Sequence, residues 1–67
     1  MINIKVNNKT HQLQSGSSLQ SLLNALHISF NGIAVAVNKK IITQVDWEHK
    51  TLSQGDDIII ITATQGG

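Results

Sequence analysis

Cysteine is absent from all 67 residues. No disulfide can therefore staple the fold, no thiolate can act as a nucleophile, and cysteine-ligated zinc is excluded. Arginine is absent too, and five lysines against four acids leave a net charge of +1. A duplex-binding domain carries a basic patch with arginines, so nucleic acid is not an expected partner. No apolar run approaches the roughly 18–20 residues of a membrane span, and no membrane association is expected. Met1-Ile2-Asn3-Ile4-Lys5-Val6 alternates apolar and polar residues instead of building the apolar block of a signal peptide. A cytoplasmic domain is the expectation.

What is present suffices for one small domain over 1–67. Apolar residues make up 40% of the chain, enough for a single core if a sheet and a helix share it. A chain of this length buries only about 60% of its unfolded surface and has an expected stability of roughly 3–10 kcal/mol. Ile2, Ile4 and Val6 alternate with Asn3 and Lys5, the pattern of a half-buried strand. Asn7-Asn8-Lys9 reads as a tight turn, and residues 10–14 return as a second strand. Ser17 followed by Gln20 fits a capping box. Leu19, Leu22, Leu23 and Leu26 then form one apolar stripe on a helix predicted over 18–27.

Asn31-Gly32 closes the next loop, and Ile33 to Val37 is a continuous branched-and-small run suited to an interior strand. Asn38-Lys39-Lys40 makes a turn before a short strand beginning at Ile41-Ile42, and residues 45–51 show no period. Ser53-Gln54-Gly55-Asp56 is a turn, and 57–64 holds four consecutive isoleucines, the strongest strand signal in the chain. The predicted order is β-β-α-β-β-β: an α+β β-grasp, a mixed β-sheet with one helix packed on one face. Strand parity puts Ile58 and Ile60 on one face and Ile59 and Ile61 on the other. One helix covers one face only. The second face either takes a partner or lies under neighbouring loops and the 45–51 segment.

Few residues offer chemistry. His11, His27 and His49 have no metal-ligand spacing, so no metal site is expected. His27, near a helix C-terminus, interacts well with the helix dipole. Lys39-Lys40 reads as a solvated turn, and Asp56-Asp57 as a turn opening a strand rather than a catalytic acid pair. No nucleophile–base arrangement or phosphate-cradling loop is legible, so the chain is not expected to be an enzyme. What remains is the end, Thr62-Ala63-Thr64-Gln65-Gly66-Gly67, where a free carboxylate follows two residues without side chains. A flexible tail over 64–67 would project roughly 13 Å when extended, and glycine threads channels closed to other residues. A carboxylate is a poor electrophile, so another protein must activate it. Without cysteine, any sulfur carried sits on that carboxylate.

Gly32-Ile33-Ala34-Val35-Ala36-Val37-Asn38, Trp47, Leu52 with Gly55-Asp56, and the ending Ala63-Thr64-Gln65-Gly66-Gly67 resemble the ThiS family, the ubiquitin-like sulfur carriers of thiamine (thiazole) biosynthesis. The likeness covers essentially the whole chain. It implies a ubiquitin-like β-grasp and a carrier cycle. An adenylating enzyme related to ubiquitin activators would use ATP and magnesium to adenylate the Gly67 carboxylate, the carrier itself binding no cofactor. Sulfur from a persulfide-bearing donor protein would give a thiocarboxylate, and thiazole synthase would accept it. Gly67 carries over as the modified residue, with Gln65 and Gly66 entering partner active sites beside it. Ile59 and Ile61, opposite the helix, are the candidate docking surface by strand parity.

One stretch departs from the family pattern. Where the family often shows a Val-Pro-Arg-Ser-x-Trp segment, this chain has Ile42-Thr43-Gln44-Val45-Asp46-Trp47. If that arginine contacts a partner in the family, either partner pairing differs here or Lys39 or Lys40 compensates. Trp47 is expected in or just under the core. Three other readings share part of this pattern: a molybdopterin-type sulfur carrier, whose family tends to be longer with prolines before the glycines, a ubiquitin-like protein modifier, and a binding module with an idle tail.

Overall fold

The protein is described by a computed structural model covering residues 1–62; residues 63–67 lie outside the described part. Alternation at Ile2, Ile4 and Val6 builds strand β1 (Ile2–Val6), which pairs antiparallel with β2 (Lys9–Leu13). Val6 pairs with Lys9, so the loop is only Asn7-Asn8, both left-handed at φ 49° and 69°. A two-residue loop of this hand matches the twist of its strands, and the strand starts one residue earlier than the three-residue turn implied. The same happens at Asn38-Lys39 (φ 52° and 70°), which joins β3 (Ile33–Val37) to β4 (Lys40–Ile42).

Helix α1 spans Leu19–Ala25, shorter than predicted at both ends. Its cap is Ser18, whose Oγ accepts the Ser21 amide at 3.1 Å. Ser17 is not the cap; its hydroxyl donates to the Gln14 carbonyl at 2.7 Å. Tertiary pairing sets this shift, because the Leu52 amide donates to the Ser17 carbonyl and the Leu19 amide to that of Lys50. At the other end His27 turns left-handed (φ 58°), its amide donating to Asn24 and that of Ile28 to Leu23. This pair of bonds is the Schellman closure. His27 therefore terminates the helix through its backbone, which a histidine tolerates better than most residues.

Strand β5 (Asp57–Thr62) completes a five-stranded sheet in the order β2-β1-β5-β3-β4. Only the β1–β5 pair is parallel, so the sheet is mixed. Together with α1 on one face this is the ubiquitin-like β-grasp, an α+β architecture. The core between them holds Ile4 and Val6 of β1, the helix leucines Leu19, Leu22 and Leu23, Val35, Val37 and Ile58.

The segment without a period is a 3₁₀ turn, Gln44–Asp46, leading into Trp47. Trp47 is 1% exposed, donates its indole Nε1–H to the Ile42 carbonyl at 2.8 Å, and meets Phe30 edge-to-face at 5.4 Å. Its own carbonyl accepts the Gln20 amide. The segment thus packs at the start of α1, on the helix side of the sheet, and leaves the opposite face uncovered by residues 45–51.

Candidate functional site

The four isoleucines of β5 divide as parity requires. Ile58 is fully buried and Ile60 packs against the core, whereas Ile59 is half-buried and Ile61 is 54% exposed. Register extends the second set across the sheet: Ile59 lies opposite Ala36, Ile61 opposite Ala34, and Ala36 opposite Ile41. Directly opposed residues share a face. Ala34, Ala36, Ile41, Ile59 and Ile61 therefore form one apolar strip across β4, β3 and β5, away from the helix. Ile41 is 61% exposed, whereas Ala36 is only 8% exposed between its neighbours. The other half of the face is polar, with Asn3 opposite Gln12 and Lys5 opposite both Thr10 and Asp57.

Strand β5 is held on both flanks where it approaches the chain end. On the β3 side pairing runs to Thr62 opposite Ile33. On the β1 side the backbone turns away at Asn7, but that residue's carboxamide takes over. Its Oδ1 accepts the Ile60 amide at 2.8 Å, and its Nδ2 donates to the Ile60 carbonyl at 3.3 Å. The candidate tail residues Gln65, Gly66 and Gly67 lie outside the described residues.

At the start of β5 the Asp56 carboxylate serves the turn that opens the strand. Asp56 is nearly buried; one carboxylate oxygen accepts the Asn38 Nδ2 at 2.9 Å and the other the Ser53 amide at 2.8 Å. Asn38 in turn accepts the Asp57 amide at 3.0 Å. The histidines stand apart. His11 is on β2, His27 closes the helix, and His49 lies 3.4 Å from Glu48 on the surface. Among the described residues no group of three or more side chains could hold a metal, and no helix is long and apolar enough to cross a membrane.

The described sheet is open on the face away from the helix, and the comparisons with known proteins stand beside this geometry. The model of the ThiS family matches residues 2–67. The chain belongs to the ThiS family. The sulfur carrier protein ThiS of Escherichia coli is 28% identical over 64 residues, 96% of this chain and 97% of that protein. The crystal structure of the thiamine biosynthesis protein ThiS from Geobacter metallireducens superposes with a TM-score of 0.84 at 22% identity, over 98% of this chain and all of that one. The solution structure of a thiamine biosynthesis protein from the same organism gives 0.74 at 22% identity, covering 98% and 88%. At such identity the two structures bear on the fold alone.

In this ThiS-family chain, parity within β5 located Ile59 and Ile61, but three members of the strip were missed. Lys40-Ile41-Ile42 shows no alternation, and only the register that sets Ile41 opposite Ala36 puts it on the strip. Ala34 and Ala36 carry no such signal, because a continuous apolar run does not say which face each residue takes. Asn7 was seen only as a turn residue; its second role depends on β5 lying alongside β1.

Proposed function

We propose that this chain is a sulfur carrier of thiamine biosynthesis, acting as a protein co-substrate rather than a catalyst. The observation that carries the reading is the family match, which runs through the Gly66-Gly67 end; the Escherichia coli relative named a sulfur carrier supports it. A Gly67 carboxylate oxygen attacks the α-phosphorus of ATP on an adenylating enzyme related to ubiquitin activators. Pyrophosphate leaves, with magnesium held by that enzyme. The terminal sulfur of a persulfide-bearing donor attacks the acyl carbon and AMP departs. A thiol then cleaves the resulting acyl disulfide, leaving a thiocarboxylate on Gly67. Thiazole synthase accepts that sulfur and the carrier returns.

The chain's own contribution is recognition. Ile59 and Ile61, extended by Ile41, offer the apolar surface on which the activating enzyme docks. Gln65, Gly66 and Gly67 then enter the active site, where the absence of Cβ at the last two positions suits a narrow channel.

Intact mass spectrometry tests this, before and after incubation with a family adenylating enzyme, ATP, magnesium and a sulfide source. The expected result is a mass gain matching replacement of one oxygen by sulfur, lost on deletion of Gly67 and sharply reduced in Gly67→Ala. No gain with an enzyme active on another carrier would overturn the reading. A ladder of denaturant-stable conjugates in cells would instead place the chain among protein modifiers.

A further inference from the structure

The loop between β1 and β2 contains a contact that turn geometry does not require. A left-handed residue at position 7 is needed to reverse the chain, and glycine would meet that need as well as asparagine. The side chain of Asn7 does something else. Its backbone amide donates to the Ile58 carbonyl at 2.9 Å, the last main-chain bond from β1 to β5. Two residues further along β5, the Asn7 carboxamide presents an acceptor to the Ile60 amide at 2.8 Å and a donor to the Ile60 carbonyl at 3.3 Å. A carboxamide has the same donor and acceptor as a peptide unit. It therefore stands in for the peptide that β1 would have supplied had it not turned away.

Resting on the carrier reading above, we infer that Asn7 is a positioning residue for the reaction at Gly67, clasping β5 at Ile60 so that the last residues start from a fixed point and direction. Fifty-three positions separate the two partners, so only the fold brings them together. The main-chain amides and carbonyls of Ile58, Ile60 and Thr62 point to the β1 side of β5, and those of Ile59 and Ile61 to β3. Without the clasp, Ile60 would keep no partner on the β1 side, and the strand would be held there only as far as Ile58. The root of the tail would then sample several directions. Docking through the apolar strip would be unaffected, because Asn7 is not part of it. A smaller fraction of docked carriers would present Gly67 to ATP.

Two measurements on the full chain test this. Amide exchange reads the clasp directly. In Asn7→Gly, which keeps the left-handed turn, exchange at Ile60 is expected to rise by about tenfold or more relative to Ile59, as a locally freed amide does. Steady-state adenylation by a family adenylating enzyme reads the consequence. The kcat should fall about tenfold, the scale of two lost hydrogen bonds, with KM for the carrier unchanged. Simple destabilisation would do the reverse, depleting folded carrier and raising apparent KM at constant kcat.

Asn7→Asp keeps the acceptor but loses the donor, and its kcat should lie between the two. It serves as the deciding variant if Asn7→Gly does not fold. Unchanged exchange at Ile60, or raised exchange with wild-type kcat, would overturn the inference. Failure of the wild-type chain to be adenylated would remove the carrier reading instead, and the exchange data would still decide whether the clasp exists.

Discussion

Ser17 and Ser18 are chemically identical neighbours with different tasks. The hydroxyl of Ser18 satisfies an orphan amide of the helix, while that of Ser17 closes a surface turn onto Gln14. Replacing an N-cap serine by alanine costs about 1 kcal/mol, whereas a surface substitution outside a cap stays within about 0.5 kcal/mol. Urea denaturation should therefore separate Ser18→Ala from Ser17→Ala by that margin. Equal midpoints would mean that both serines share the cap. At this scale the sequence misleads for a simple reason. Two adjacent serines, each with a polar residue three positions on (Gln20 and Ser21), offer two capping registers, and the pairing of Ser17 and Leu19 with Leu52 and Lys50 selects one.

Strand β5 shows how one element serves two surfaces. Its even-numbered isoleucines belong to the core and its odd-numbered ones to the open face, so neighbouring substitutions should have unlike effects. Ile58→Ala should cost about 2–5 kcal/mol by leaving a cavity, enough to unfold much of a domain this small. Ile61→Glu should change stability by less than about 1 kcal/mol yet weaken binding to the adenylating enzyme at least about tenfold, the scale at which an anchor residue of an interface acts. Calorimetry for stability and titration for binding check the pair. Loss of folding in Ile61→Glu would assign that side chain to the core. Strand geometry alone splits the four isoleucines into two sets, but a continuous apolar run does not say which set faces the core. Packing beneath the helix decides that. Strand β4, with three residues, is too short to reveal that Ile41 faces out.

Across the whole molecule, β5 is the last strand in sequence and the middle one in space, bonded to β1 on one side and β3 on the other. Trp47 ties the loop before it to β4, to Phe30 and to the helix start. With every element sharing one core, unfolding should be a single cooperative transition. Trp47 fluorescence and far-ultraviolet circular dichroism should give coincident urea curves. An earlier dichroism transition would show that the β1–β2 hairpin melts on its own.

Local chemistry by itself determined much of this protein: five strands and one helix in order, the leucine stripe that faces the sheet, the two parities of β5, and a Gly-Gly end. These follow from side-chain periodicity and turn preference, which act over a few residues. Tertiary structure alone decided which serine caps the helix, that the aperiodic stretch around Trp47 packs beside the helix, and that Ala34, Ala36 and Ile41 join Ile59 and Ile61 in one strip. It also placed Asn7 against Ile60. Each of these depends on register between segments distant in the chain, and register is set by how the shared core packs, which no local pattern contains.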